Sequence, residues 1–188
     1  MDDIDYSQFP ELGEVLVSKD VLHQTVQSLG RRIANDYTDR RPLLVCVLKG
    51  AFVFMADLAR AIPFSVEVDF MAVSSYGAST TSSGVVRIVK DLDADISNRH
   101  VILVEDIVDS GLTMNYVREL LLARGPASLE VCALLVRETV PHVDLTSLRY
   151  LGLTIPDDWV VGYGLDTDQR WRNLRDIRRW NVDDATPQ

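Results

Sequence analysis

Three short runs in this chain are apolar at every position: LLVCVL (43–48), VILV (101–104) and VCALLV (131–136). A surface helix would show a polar face once per turn, and a half-exposed strand would alternate. A continuous run of four to six apolar residues therefore fits a strand covered on both faces. Between the runs the period changes. Residues 19–37 carry Leu22, Val26, Leu29 and Ile33 at helical spacing, with Ser18 placed as N-cap. AFVFMADLARA follows Lys49-Gly50 and is stopped by Pro63, and residues 113–124 carry Met114, Val117 and Leu121 before Gly125-Pro126. SVEVDFMAV reads as an alternating strand and VVGY as a shorter one. Strands alternating with helices predict an α/β fold, a mostly parallel sheet flanked by helices.

At 188 residues the chain is most simply one domain spanning 1–188, and the ending NVDDATPQ (about 181–188) reads as a frayed tail. The net charge of −9 argues against binding nucleic acid, which needs clustered Lys and Arg. No apolar run reaches the length of a membrane span. The acidic start MDDIDYSQFPELGE lacks the form of a secretory signal, so a cytoplasmic protein with no membrane association is expected. Cys46 and Cys132, each inside an apolar run, are expected to be buried reduced thiols.

The run VILV continues as VILVEDIVDSGLT (101–113), with adjacent carboxylates at Glu105 and Asp106 and a third at Asp109. Like charges this close resist joint ionisation unless a cation or donors hold them. With a strand ending near Glu105 and a helix starting near Thr113, the stretch lies beyond the carboxyl end of a strand, where open α/β sheets bind ligands. Amides of Ser110, Gly111, Leu112 and Thr113 can meet one anion there, helped by the helix dipole, and Gly111 permits the tight path. The G-x-x-x-x-G-K-[ST] and G-x-G-x-x-G nucleotide motifs are absent.

This pattern resembles the phosphoribosyl diphosphate signature of type I phosphoribosyltransferases. Together with LVCVLKGAFVFMADLAR, VDFMAVSSYG, the Thr-Ser-Ser-Gly segment and IPDDWVVGYGLDTDQRWRNL, in the same order, it is similar to the hypoxanthine-guanine phosphoribosyltransferases over about residues 12–178. The resemblance implies the fold of that family, with a small hood and a flexible lid over about 74–99. It implies transfer of the phosphoribosyl group from phosphoribosyl diphosphate to a 6-oxopurine, with Mg²⁺ as cofactor, by a homodimer or homotetramer. By the same resemblance Glu105 and Asp106 hold the ribose hydroxyls and help position Mg²⁺, and Asp166 matches a second Mg²⁺ position. Asp109 is the general acid/base, and Asp109, Ser110, Gly111, Leu112 and Thr113 form the 5′-phosphate loop. Leu48, Lys49 and Gly50 stand at the diphosphate, where the family holds a non-proline cis peptide, and Arg172 is a second diphosphate contact. Ser75 and Tyr76 belong to the lid. Trp159 stacks on the purine, Val160 offers backbone groups to its edge, and carbonyls near Asp166 face its 2-position. His23, His100 and His142 match no role.

One position departs from the family. In VCALLVRET, Arg137 stands where the family has the Lys that reads purine O6, and the two side chains are not interchangeable. Either its parallel donors span O6 and N7, or it points away and leaves the reading to backbone. The first favours hypoxanthine and guanine over xanthine and excludes adenine. A xanthine- or guanine-preferring relative and an RNA-binding regulator on the same fold are the alternatives, the latter opposed by the acidic balance.

Overall fold

The computed structural model describes residues 5–75, 86–139 and 148–181. The three apolar runs form the centre of a six-stranded sheet. They are β2 (Leu43–Leu48), β5 (His100–Val108) and β6 (Ser128–Arg137), lying beside β3 (Glu67–Ser75), β4 (Val86–Lys90) and β7 (Tyr150–Ile155). The strand order is β4-β3-β2-β5-β6-β7, parallel throughout except for the antiparallel pair of β3 and β4.

Strand alternation divides each apolar run between two cores. Leu44, Cys46, Ile102, Val104, Cys132 and Leu134 join one core with α1 (Lys19–Asp36) and α2 (Phe52–Ala61). Leu43, Val45, Val101, Leu103, Val131 and Ala133 join the other with Met114, Val117 and Leu121 of α3 (Leu112–Leu122). Ser18 caps α1 as expected, its side chain accepting from the Val21 amide at 3.3 Å. Both cysteines are buried and free, and burial pushes the Cys46 thiol up to about 12. Among the described residues no helix is long and apolar enough to cross a membrane.

A second, three-stranded antiparallel sheet joins β1 (Leu12–Val17), β9 (Ile177–Trp180) and β8 (Val160–Val161) in the order β1-β9-β8. It is the hood, built from the two ends of the chain. β1, β7 and β9 have weak local patterns and were not expected as strands; pairing with distant partners makes them strands.

The expected lid, about 74–99, falls partly outside the described residues, which exclude Tyr76 and the side chain of Ser75. Its described second part is built structure. β4 pairs with β3 from Ala72↔Lys90 to Ser75↔Val86, and Ile96 is buried in the α3-side core. Asp69, itself buried, fastens this segment: its carboxylate accepts from the amides of Phe70 (2.7 Å), Asp93 and Ala94 (both 2.9 Å).

Candidate active site

The site begins where β2 and β5 part. They pair from Leu43↔Val101 to Cys46↔Val104, after which β2 ends and the chain turns at Lys49-Gly50. β5 does not end near Glu105, as the sequence suggested. It continues to Val108 because β6 goes on pairing with it, as far as Val108↔Val136. Glu105 and Asp106 therefore lie inside a strand, and alternation sends their side chains to opposite faces, which eases the like-charge problem. Asp106 lies against Gly50, and a Cβ at that position would have to displace its carboxylate. The Leu48–Lys49 peptide is cis, as the family resemblance implied.

Burial raises both carboxylates. Glu105 is pushed well above the ordinary carboxylate range by desolvation and then by the charge of Asp106. Asp106 rises to about 6 through burial, although the Ile107 amide donates to its Oδ1 at 2.9 Å and Arg172 favours the charged form; Asp166 opposes it. Two carboxyls poised against ionisation are groups that would gain from a cation or from hydroxyl donors.

Beyond Val108 the chain runs through Asp109, Ser110 and Gly111 into α3. Gly111 takes the left-handed backbone (φ 78°), and Ser110 Oγ accepts from the Leu112 amide at 3.4 Å. A cavity of about 250 Å³ is lined by Glu105 to Gly111 with Thr113 and Met114. It sits at the N-terminus of an eleven-residue helix that lacks a side-chain cap. Size, amides and dipole suit a phosphate group.

The cationic side comes from the loop over residues 164–172. Arg172 donates to the Gly164 carbonyl at 2.8 Å, pairs with Asp166 at 2.7 Å and reaches Gln169 Oε1 at 3.3 Å. Gln169 Oε1 also accepts from Lys49 Nζ at 3.1 Å, and the Gln169 amide donates to Asp166 Oδ2 at 2.8 Å. One neutral amide oxygen thus joins Lys49 and Arg172, the two cations that the sequence offered for a diphosphate. Sequence reasoning missed Gln169, since nothing in TDQRW marks it. The loop holds strain: Tyr163, Asp168, Gln169 and Trp171 all have positive φ without being glycine.

The hood supplies the remaining face. Val160 is buried in β8, and Trp159, beside it, is 57% exposed, open to stack on a planar ligand. Arg137, at the end of β6, makes three polar contacts within the chain. Its Nε donates to Asp109 Oδ1 at 2.6 Å, and its Nη1 donates to the carbonyls of Asp158 (2.5 Å) and Pro156 (3.4 Å). In this arrangement its donors do not lie free in parallel to span two purine atoms. Asp166, the third carboxylate named for Mg²⁺, lies on the cationic side. Among the described residues no three Asp, Glu, His or Cys groups gather around one point, and Asp166 is turned to Arg172 and the Gln169 amide. Oxygen ligands in ones and twos still suit Mg²⁺, which keeps waters and takes phosphate oxygens from its substrate.

A phosphoribosyl transferase domain model matches residues 18–168. The hypoxanthine-guanine phosphoribosyltransferase of Mycobacterium tuberculosis is 49% identical over 170 residues, covering 87% of this chain and 84% of that protein. The crystal structure of a hypoxanthine phosphoribosyltransferase from Staphylococcus aureus superposes with a TM-score of 0.91 at 36% identity, over 98% of this chain and 100% of that one. That of the Trypanosoma cruzi hypoxanthine phosphoribosyltransferase in complex with the product IMP gives 0.86 at 37% identity, over 96% and 99%. Fold, site and sequence agree: the chain belongs to the phosphoribosyltransferase family, among its hypoxanthine-guanine phosphoribosyltransferases.

Proposed function

We propose that the chain moves the 5-phosphoribosyl group from phosphoribosyl diphosphate to hypoxanthine and guanine, giving IMP or GMP and diphosphate. A bond forms between purine N9 and ribose C1′ as the bond from C1′ to the diphosphate oxygen breaks. One observation carries the reading. The carboxylates within β5 line a phosphate-sized cradle, and Arg172 of the Lys49–Gln169–Arg172 cluster acts electrostatically on Asp106.

In this reading Ser110, Gly111, Leu112 and Thr113 hold the 5′-phosphate, and Glu105 and Asp106 accept from the ribose hydroxyls. Lys49, Gly50 and Arg172 take the departing diphosphate, where a guanidinium and an ammonium offset its growing charge. Asp109 exchanges the proton at purine N7. Trp159 covers the purine face, and Val160 and carbonyls near Asp166 meet its edge. Arg137 stands at the O6 side. Glu105, Asp106 and Asp166 are the residues that would hold Mg²⁺, which when bound neutralises diphosphate charge. By the family resemblance Ser75 and Tyr76 are assigned to the part of the enzyme that keeps water from the reacting centre. The same reading takes the chain as one domain acting in the cytoplasm as a homodimer or homotetramer. The family resemblance supports this, and the acidic balance separates it from nucleic-acid binders.

The test is an assay of purified protein with phosphoribosyl diphosphate, Mg²⁺ and each of hypoxanthine, guanine, xanthine and adenine. Turnover with hypoxanthine and guanine, little with xanthine and none with adenine is expected. Preference for xanthine would overturn the base assignment.

A further inference from the structure

The guanidinium of Arg137 is largely withdrawn from water, its side chain 14% exposed, whereas Asp109 is 68% exposed. Three contacts fix the arginine: Nε on Asp109 Oδ1, and Nη1 on the carbonyls of Asp158 and Pro156. The Asp158 carboxylate is held in turn by Arg179 of β9 at 2.7 Å. A single planar group therefore ties the loop before α3 to the turn that presents Trp159. The compact ammonium of a lysine cannot span the same three acceptors with fixed geometry. An exposed carboxylate left to itself rotates among rotamers, so holding one of its oxygens removes an orientation that each turnover would otherwise have to find.

We propose that Arg137 is a positioning residue for Asp109: it grips Oδ1 and turns Oδ2 toward the purine that Trp159 covers. The inference rests on the reading of Asp109 as general acid/base given above. Because Asp109 is well exposed, the pair contributes orientation more than stability. Arg137 then acts on the rate through Asp109, and base affinity follows only secondarily.

A kinetic cycle with hypoxanthine, phosphoribosyl diphosphate and Mg²⁺ tests this, using R137Q, D109N, the double variant and R137K. R137Q is expected to lower kcat about tenfold or more, with KM for phosphoribosyl diphosphate held within about twofold. In the D109N background R137Q should add no further loss, since the group it positions is gone. R137K, which keeps one cationic donor for Asp109 but loses the fixed grip on the Asp158 and Pro156 carbonyls, should recover part of the rate. Losses that multiply in the double variant overturn the proposal and assign Arg137 to the purine directly. So does R137Q with unchanged kcat, or an R137K as slow as R137Q. Near wild-type turnover in D109N removes the acid/base reading itself, and the inference with it.

Discussion

Within β5, burial sets Asp106 against ionisation, and this gives the site a pH signature. An unfolded Asp ionises near 3.8, the folded Asp106 near 6. Between those values the folded state keeps a proton that the unfolded state has lost. Stability therefore falls as pH rises from about 4 to about 6 and stays lower above that. Asp106→Asn, which cannot ionise, should be more stable than the wild type at pH 7 by about 1–3 kcal/mol, the advantage shrinking toward pH 4. Urea denaturation at the two pH values measures it. Ligand binding should run the other way. If Asp106 holds the ribose and Mg²⁺ as proposed, it does so in its charged form, so calorimetric affinity for phosphoribosyl diphosphate should drop as pH falls through about 6. At Asp109 the expectation is kinetic: Asp109→Asn should bind phosphoribosyl diphosphate normally and lose about 10²–10⁴-fold in rate, the usual worth of a positioned acid or base. Isothermal binding beside single-turnover kinetics separates the two effects.

Among the elements, the β3–β4 pair depends most on one side chain. Asp69 accepts three backbone amides and holds residues 91–96 down beside the sheet, with Lys90 Nζ 3.8 Å away. Those bonds hold its carboxyl below the usual range, against the desolvation that acts on it most strongly. Asp69→Ala leaves the amides of Asp93 and Ala94 without their acceptor and should cost about 2–4 kcal/mol. Hydrogen exchange across 91–96 should accelerate more than in α1, and equal acceleration in both would show that the loss is global. The same element shows what periodicity can and cannot reveal. β2 and the three helices were legible because each carries its own burial pattern. VRIVK of β4 sits after a Ser/Thr/Gly-rich stretch and pairs as an edge strand, so only its position beside β3 defines it.

At the scale of the whole molecule, two cores on opposite faces of one sheet position the ends of β2, β5 and β6 along a common edge. Because no three-ligand cluster gathers among the described residues, Mg²⁺ is expected to enter with the diphosphate. Excess chelator should abolish turnover while leaving the melting temperature of the free protein unchanged. Phosphoribosyl diphosphate with Mg²⁺ should raise that temperature, by about 2.7 kcal/mol of linkage at a hundredfold excess over Kd. Melting scans and an assay on the same samples check both, and a chelator-sensitive melt of the free protein would point to a resident structural metal. The amino-acid sequence alone determined the layered α/β class and the glycine-containing loop that leads into α3. Continuous apolar runs, helical stripes and a thirteen-residue motif are local patterns, and burial is written in them directly. Only the tertiary structure decided that β5 runs on to Val108, that Gln169 joins Lys49 to Arg172, and that Arg137 holds Asp109. Those contacts link residues from 3 to 120 positions apart. They exist because packing of the sheet and hood brings strand ends and a strained loop to one place, a registry that no local pattern encodes.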